Sequence, residues 1–502
     1  MSPEASESEL APFLRAFQRL SELAQRQAEA DHARGREPLL PALEAHLGVD
    51  PRSLAVLTEM ISPLRIADAD VAIERVVASH GGGTLLGVGG GDQRWHNGLS
   101  EILQVAGHWG QFPLGPVDYT TVPIGPDEER ATVSYGLHLF RRDGVPVVLL
   151  QRGGRPQFGS SPQLEVLAPE DGVAALVLAE IREAMNAHSV LRGQVVTFTT
   201  SNYEPGAGGV TFVRRPRVSA EEVVLPAGLL ARVERHVLGI GRHRAELAAA
   251  GQHLKRGVLL YGPPGTGKTH TVRHLVGAAR DSTVILLSGL SLQLVTQAAD
   301  TARALQPAIV VLEDCDLVAE ERSHFSSSPL LFEVLDALDG LAADSDVVFL
   351  LTTNRADVLE PALAQRPGRV DLAVEIPLPD NRARRALLDL YAADLPFGPG
   401  VLDEVAAGAE GTTASFAKEL VRRSVLRAVE RHGEVSDDDL QTSLDEMMAD
   451  GGALTRVLLG GARPVGVPGA ATAAGPGFGP VPGVVAGPAA FASGAAPGWE
   501  EE

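Results

Sequence analysis

The stretch from residue 257 to 270 reads GVLLYGPPGTGKTH and contains the residues best suited to chemistry. Its glycines allow backbone N–H groups to turn inward around phosphates, and the helix predicted to follow adds the positive end of its dipole. Lys268 can reach the β- and γ-phosphates of a nucleotide, and the Thr269 hydroxyl can ligate Mg²⁺. The predicted nucleotide-binding residues are Gly262, Pro263, Pro264, Gly265, Thr266, Gly267, Lys268, Thr269 and His270.

A pair of carboxylates, Glu313 and Asp314, follows the apolar run AIVVL at 308–312. Ligands bind at the carboxyl ends of strands in an open α/β sheet, so this pair is expected beside the nucleotide. One acid then joins Thr269 in holding Mg²⁺, and the other orients or deprotonates the attacking water. Enzymes with this loop usually place Asp before Glu, and here the order is reversed. Because Mg²⁺ usually keeps several waters, the longer Glu313 can contact the metal through one of those waters. We therefore predict that Glu313 holds the metal and that Asp314 orients or deprotonates the attacking water.

Polar residues after a third predicted strand complete the candidate site. The strand DVVFLLTTN at 346–354 ends on Asn354, whose amide can help to position the attacking water. Further along the chain, Arg366 and Arg369 flank a Pro-Gly turn. In a ring these arginines can reach the γ-phosphate bound by a neighbouring subunit and stabilise charge in the transition state. The predicted catalytic residues are Lys268, Glu313, Asp314, Asn354, Arg366 and Arg369.

A parallel sheet is needed to bring these residues together, and the pattern after residue 223 predicts one. Apolar strands alternate there with helical stretches, which is typical of α/β folds. Residues 380–449 carry helical signals without strands, and Ser436 is a predicted N-cap. The predicted fold class is α/β: a parallel sheet with helices on both faces, then a small helical lid domain. A mixed α/β N-terminal region precedes it.

The composition and motifs divide the chain into five predicted parts. An amphipathic helix at 9–31 and a hairpin turning at Asp143-Gly144 lie in the N-terminal half. The parts are a helix-rich region at 1–110, a mixed α/β substrate or partner domain at 111–222, a large nucleotide-binding domain at 223–379, a helical lid at 380–451 and a disordered tail rich in Gly, Pro and Ala at 452–502.

The acidic composition narrows the classes of partner. A formal charge of -21 argues against general affinity for nucleic acid or anionic lipid, which need clustered Lys and Arg. The single cysteine, Cys315, excludes an internal disulfide framework and is predicted to be a small buried filler. The acidic N-terminus does not have the pattern of a targeting segment, and Pro and Gly interrupt the longest uncharged run, 464–499. We therefore expect a cytoplasmic protein without membrane insertion.

Taken together, GPPGTGKT, the acidic pair, TTN and LEPALAQRPGRVD followed by IPLPD resemble the AAA ATPases of bacterial type, within the AAA+ class of P-loop NTPases. The resemblance covers residues 223–449 and implies Mg-dependent ATP hydrolysis in a homo-oligomeric ring, a hexamer, acting on protein substrates. It implies a Walker A lysine at Lys268, Walker B acids at Glu313 and Asp314, and sensor 1 at Asn354. Arg366 and Arg369 take the place of the family's arginine fingers.

Three further assignments follow from the same resemblance. The segment 237–241 lies where the family contacts adenine, and GTTASF at 411–416 resembles the lid segment that follows bound nucleotide. AAA unfoldases usually carry an aromatic residue on a pore loop, whereas the corresponding stretch at 288–297 has Leu290, Leu292 and Leu294. Leucines could still grip apolar polypeptide. Phe325 is expected to be an ordinary exposed loop residue, with a second pore loop as its alternative role.

Three functions are compatible with these features. The leading one is a ring-forming ATPase that remodels, disassembles or translocates protein substrates recruited by the N-terminal region. The reversed acids suggest an alternative, a scaffold that binds ATP, assembles and hydrolyses it negligibly. A DNA-linked motor is disfavoured by the acidic charge and the absence of a basic run.

Overall fold

The computed structural model describes residues 19, 39–90, 94, 97–109, 112–154, 161–200, 208–315, 344–355 and 370–449. The chain separates into two compact units, the first comprising 1–194 and 198–212 and the second comprising 195–197 and 213–502. The predicted helix at 9–31 and the predicted tail at 452–502 lie outside the described residues, apart from Arg19.

The first unit is built on a twisted antiparallel sheet. Its strands follow the order β1-β7-β6-β5-β2-β3, with β4 also paired to β5. The strand bounds are β1 Leu57–Met60, β2 Gly83–Val88, β3 Leu114–Gly115, β4 Asp118–Pro123, β5 Glu129–Arg142, β6 Val145–Arg152 and β7 Gln163–Leu167. The helices are α1 Leu39–Leu47, α2 Ile66–Ser79, α3 Leu99–Trp109 and α4 Val173–Ala187.

Helices cover both faces of this sheet. Val148 and Leu150 of β6 lie in the cluster formed with α1 and α3, and Val147 and Leu149 lie in the cluster formed with α2 and α4. Successive side chains of a strand point to opposite faces, so an uninterrupted apolar run such as VVLL is buried only when both faces are covered. The first unit is therefore a three-layer α/β/α arrangement.

The hairpin predicted in this unit is confirmed. Arg142 pairs with Val145, which leaves Asp143 and Gly144 as the two turn residues. Both have positive φ, 50° and 89°, as the preferred two-residue hairpin turn requires.

The predicted boundary between 1–110 and 111–222 does not match the sheet. β1 pairs with β7, and β2 pairs with β5, so strands from both sides of that boundary share one sheet. Sequence periodicity describes each strand but carries no information on pairing between distant segments. The prediction of a helix-rich region at 1–110 did not include the two short strands β1 and β2.

The second unit carries a sheet with the strand order β14-β10-β13-β12-β11-β8, which β8 joins through Val195–Thr197. The pairings from β14 through to β8 are parallel. The strand bounds are β8 Val195–Thr200, β9 Gly208–Val213, β10 Arg256–Tyr261, β11 Thr283–Ser288, β12 Ala308–Glu313, β13 Val347–Thr353 and β14 Leu372–Glu375. The α/β fold with a parallel sheet is thereby confirmed.

The edge of this sheet begins earlier in the chain than the predicted start at residue 223. Val195–Thr197 of β8 pair with β11, although these residues lie within the predicted N-terminal region. The run GQVVTFTT predicts a strand, but only the pairing reveals which sheet it joins.

Helices follow the strands of the second unit in the expected alternation. One face of the sheet packs against Val272, Leu275 and Val276, with Val233 and Val237 in the same cluster. The helices are α5 Leu229–Glu234, which continues as a π-helical turn at Arg235–Gly239, α6 Ile240–Arg242, α7 Arg244–Ala249, α8 Lys268–Ala278 and α9 Val295–Ala304.

Residues 380–449 form four helices with a core of their own. Their bounds are α10 Asn381–Tyr391, α11 Pro399–Gly408, α12 Ala414–Glu430 and α13 Asp437–Met448. Ser436 caps α13 as predicted, in a reciprocal capping box with Asp439.

Candidate nucleotide-binding site

The phosphate-binding loop occupies the turn between β10 and α8. Gly262, Gly265 and Gly267 have φ values of 144°, 74° and 105°, which L side chains rarely adopt. At Gly262 a Cβ atom would lie 2.2 Å from the carbonyl oxygen of Ile376. The loop therefore depends on glycine for its backbone conformation. At Gly262 it also depends on glycine for its close approach to the backbone of Ile376.

Lys268 begins α8 and folds back over the loop. Its Nζ donates hydrogen bonds of 2.8 Å to the carbonyl oxygens of Gly262 and Pro263, and the residue is only 6% exposed. Thr269 follows it on the first turn and is exposed, as is Pro264. The ammonium group is thus held on the side of the loop where phosphate oxygens are expected.

Two hydroxyl groups stiffen the loop. Thr266 Oγ1 donates to the carbonyl oxygen of Pro263 at 2.9 Å, within the turn. Thr271 Oγ1 donates to the carbonyl oxygen of Gly267 at 2.9 Å and ties the loop to the first turn of α8. Such local bonds limit the conformations of the loop and reduce the entropy lost on binding.

His270, a predicted nucleotide-binding residue, contacts a different segment. Its Nε2 lies 3.1 Å from the carbonyl oxygen of Glu222. Burial lowers the pKa of His270, so at neutral pH the ring is uncharged and Nε2–H is the donor. The contact places residue 222 beside α8, a proximity that no sequence signal indicated.

Glu313 and Asp314 stand at the carboxyl end of β12. Glu313 is the last residue of the strand, pairs in register with Ser288 of β11 and is 8% exposed. The next residue, Asp314, leaves the strand with a φ of 50°. The backbone turn gives the two consecutive carboxylates different settings, one within the sheet edge and one on the following turn.

The neighbouring strand β13 holds Asp314 in place. The backbone N–H of Asp314 donates to Thr352 Oγ1 at 3.0 Å. Asn354 Nδ2 donates to Asp314 Oδ1 at 3.3 Å. The structure therefore brings Asn354 into direct contact with the second acid, and Thr352, which sequence reasoning missed, supports its backbone.

The strand order places the loop on the same edge. Tyr261, the last residue of β10, pairs with Thr353 of β13, and Leu312 of β12 pairs with Leu351 of β13. Lys268 and the two acids consequently follow the carboxyl ends of strands separated only by β13. Cys315 is buried and donates to the carbonyl oxygen of Leu312 at 3.4 Å, as expected of a small filler.

The helical domain meets the loop through its predicted lid segment. The backbone N–H of Ser415 donates to the carbonyl oxygen of Gly265 at 3.1 Å. Thr413 caps the start of α12 by accepting a 3.2 Å bond from the N–H of Phe416. The segment 411–416 thus lies against the phosphate-binding loop.

The assignment of 237–241 to adenine is wrong in position. The Val237 carbonyl accepts a 2.9 Å hydrogen bond from the guanidinium of Arg256, the first residue of β10, whereas the phosphate-binding loop follows the last residue of that strand. The segment lies at the opposite edge of the sheet. Spacing along the chain did not reveal that Val237 lies beside the first residue of β10.

The leucines of 288–297 do not share one environment. Gly289–Leu294 form a 3₁₀ helix in which Leu290 is exposed, Leu292 is fully buried and Leu294 is half-buried. Leu292 belongs to the core, because the 3₁₀ turn directs its side chain inward, so it is not presented at the surface as a gripping residue would be. Arg366, Arg369 and Phe325 lie outside the described residues.

Comparisons with known proteins agree with this geometry. A family model described as "ATPase family associated with various cellular activities (AAA)" matches residues 258–378. The ATP-dependent zinc metalloprotease FtsH 3 of Sphaerobacter thermophilus is 34% identical over 265 residues, 50% of this chain and 53% of that protein. FtsH 4 of the same organism is 30% identical over 377 residues, 71% of this chain and 56% of that protein.

A relative from another organism has a similar match. The ATP-dependent zinc metalloprotease FtsH of Hahella chejuensis is 34% identical over 209 residues, 38% of this chain and 34% of that protein. The chain thus spans about half or less of the length of these curated relatives. Among the described residues, no helix combines the length and apolar character needed to cross a membrane. From the phosphate-binding loop, the strand order and these matches, residues 258–378 form an ATPase domain of the AAA family, within the AAA+ class.

Proposed function

We propose that this chain hydrolyses Mg-ATP in a ring of identical subunits, six by family resemblance, and uses the energy to remodel, disassemble or translocate protein substrates. The N-terminal region recruits those substrates in this proposal. The observation that carries it is the 3.3 Å contact between Asn354 and Asp314 on the sheet edge that also bears Lys268. The zinc protease activity in the relatives' names is not part of the proposal.

The residues present fit a magnesium nucleotide. The positive φ values of Gly265 and Gly267 allow backbone N–H groups of the loop to point towards phosphate oxygens. Lys268 supplies a positive charge beside the loop. Thr269 and Glu313 supply oxygen atoms, which Mg²⁺ prefers as ligands. When bound, Mg-ATP supplies the phosphoryl group to be transferred and a cation that neutralises its developing charge.

The side chains of this chain then divide the remaining tasks. Lys268 binds phosphate oxygens, and Glu313 supports the metal shell. Asp314 orients the attacking water and accepts its proton, while the Asn354 amide restrains the rotation of the Asp314 carboxylate. Arg366 and Arg369 of one subunit stabilise charge at the site of the next subunit, as the family resemblance implies.

The decisive experiment compares Asp314→Asn with wild type and Lys268→Ala in the full chain. ATP affinity, ATPase rate and particle mass are measured on the same samples. Asp314→Asn is expected to bind ATP and form rings but to lose about 100-fold or more in rate, since a general base contributes that much. Lys268→Ala is expected to lose nucleotide affinity.

Three outcomes would each decide against a part of the proposal. If Asp314→Asn fails to bind Mg-ATP while Glu313→Gln binds but does not hydrolyse, the roles of the two acids are reversed. If the wild type assembles with ATP but its turnover equals that of Lys268→Ala, the chain is an ATP-controlled scaffold. A monomer whose specific activity is independent of concentration would exclude the ring.

A further inference from the structure

A second cavity lies at the edge of the parallel sheet opposite the phosphate-binding loop. Its volume is about 450 Å³, and Arg256, Ala308 and Val348, at the amino ends of β10, β12 and β13, form part of its wall. β10 separates it from the loop by roughly 17 Å, at about 3.3 Å per residue. The cavity is therefore distinct from the nucleotide site, and its size suits a small ligand.

The rim of this cavity is positively charged in an acidic protein. Arg242, Arg244 and Arg280 line it and are exposed, and none of them forms an ion pair with another described residue. Among the described residues that line the cavity, Asp281 is the only exposed carboxylate. Three guanidinium groups against one carboxylate leave a net positive rim on a chain whose formal charge is -21.

The floor adds a buried acceptor. Arg256 and Asp346 are each 4% exposed and form an ion pair of 2.8 Å through Asp346 Oδ1. Asp346 Oδ2 is also buried, and it accepts no hydrogen bond within the described part of the chain. Gly241 lies beside this carboxylate, and its lack of a side chain keeps the approach open. Burying an acceptor without a donor is costly, so this oxygen favours a ligand that brings one.

We propose that this cavity binds a phosphate-bearing small molecule. The planar guanidinium groups of Arg242, Arg244 and Arg280 match phosphate oxygens with paired N–H donors. Asp346 Oδ2 accepts a hydrogen bond from a hydroxyl or amino group of the same ligand. Inorganic pyrophosphate and a mononucleotide share the phosphate chemistry, but only the mononucleotide also carries ribose hydroxyl and base amino donors away from its phosphate.

The test uses the full chain carrying Lys268→Ala, which weakens binding at the phosphate-binding loop. AMP and inorganic pyrophosphate are titrated separately by calorimetry. AMP is expected to bind this chain and to lose at least tenfold in affinity when Arg242→Ala and Arg244→Ala are added. The matched control is Arg232→Ala with Arg235→Ala, which removes the same charge from two nearby positions that do not line the cavity. Both arginines are exposed, and neither forms an ion pair with another described residue.

Each other outcome has a defined meaning. Binding of pyrophosphate without AMP, with the same dependence on Arg242 and Arg244, supports the phosphate site and assigns it to an inorganic anion. Equal losses of affinity in the two double variants would show that the effect comes from the overall charge and not from this cavity. That result would overturn the proposal. It is equally overturned if neither probe binds, if binding disappears with Lys268→Ala alone, or if a hexaglutamate peptide binds this rim in place of both phosphate probes. Thermal melting confirms that all variants fold.

Discussion

Asp314 adopts a left-handed backbone conformation that costs a non-glycine residue roughly 1–2 kcal/mol. Its surroundings offset this cost, because Thr352 accepts its N–H and Asn354 donates to its carboxylate. Both supporting residues belong to one strand, β13, or directly follow it. Asp314, the acid that we propose to serve the attacking water, is thus placed by its backbone as well as by its side chain.

Replacing Thr352 by valine tests that support. Valine keeps the shape but removes the hydroxyl acceptor, so the Asp314 N–H loses its partner. A displacement of about 1 Å can lower a rate about 100-fold, and the smaller shift expected here should lower kcat for ATP hydrolysis about tenfold. The KM for ATP should change less than twofold, since the loop is untouched. Thr352→Ser keeps the acceptor and should restore most of kcat. An equal loss in the serine variant would point to packing in place of the hydrogen bond.

At the scale of elements, the candidate site lies where the segments that follow β10, β12 and β13 meet, at the carboxyl ends of these strands. The loop after β10 passes within contact of Ile376, and the start of α12 donates to Gly265. A change in the loop backbone therefore disturbs both the nucleotide contacts and the attachment of the helical domain.

Gly262→Ala should abolish measurable ATP binding and lower the free energy of unfolding by about 3 kcal/mol or more, because backbone strain and overpacking add. Gly289→Ala is the matched control: Gly289 also has positive φ, 54°, but a Cβ there meets nothing within 4 Å. That variant should lose only about 1–2 kcal/mol and keep its ATP affinity. ATP titration and urea unfolding measure both quantities. Comparable losses of ATP affinity in the two variants would contradict the role of the Ile376 contact.

At the scale of the whole molecule, each unit holds a partly buried imidazole in neutral form. Burial lowers the pKa of His138 in the first unit and of His270 in the second. His138 contacts Gln151 Oε1 at 3.0 Å, and His270 contacts the carbonyl of Glu222. Below the ordinary histidine pKa of about 6.5, the unfolded chain binds protons that the folded chain does not.

The free energy of unfolding should therefore be fully retained above about pH 6.5 and should decrease as the pH falls towards 5.5. Replacing His270 by glutamine preserves a donor to Glu222 and should remove part of this decrease. Urea unfolding of wild type and His270→Gln at pH 7.5, 6.5 and 5.5 measures the effect. Constant or rising stability towards acid, or the same slope in the variant, would show that these histidines do not govern it.

Local patterns in the sequence were sufficient for much of the fold. The glycine and lysine spacing at 262–269, the Asp143-Gly144 turn and the Ser436 cap each depend on residues close together in the chain. Apolar runs likewise identified β10, β12 and β13, and with them the edge where Lys268, Asp314 and Asn354 would meet. These features could be predicted because turn geometry, capping and strand periodicity are properties of short segments.

Only the tertiary structure decided which distant segments touch. It joined β1 and β2 to the sheet of the first unit and placed residue 222 beside His270. It also put Val237 at the far edge of the second sheet. The sequence by itself was sufficient to predict a phosphate-binding loop and its two acids, because both depend on residue type and on short spacing along the chain. The support of Asp314 by Thr352 and the three arginines around a second cavity required the fold, because packing across long stretches of chain brings them together.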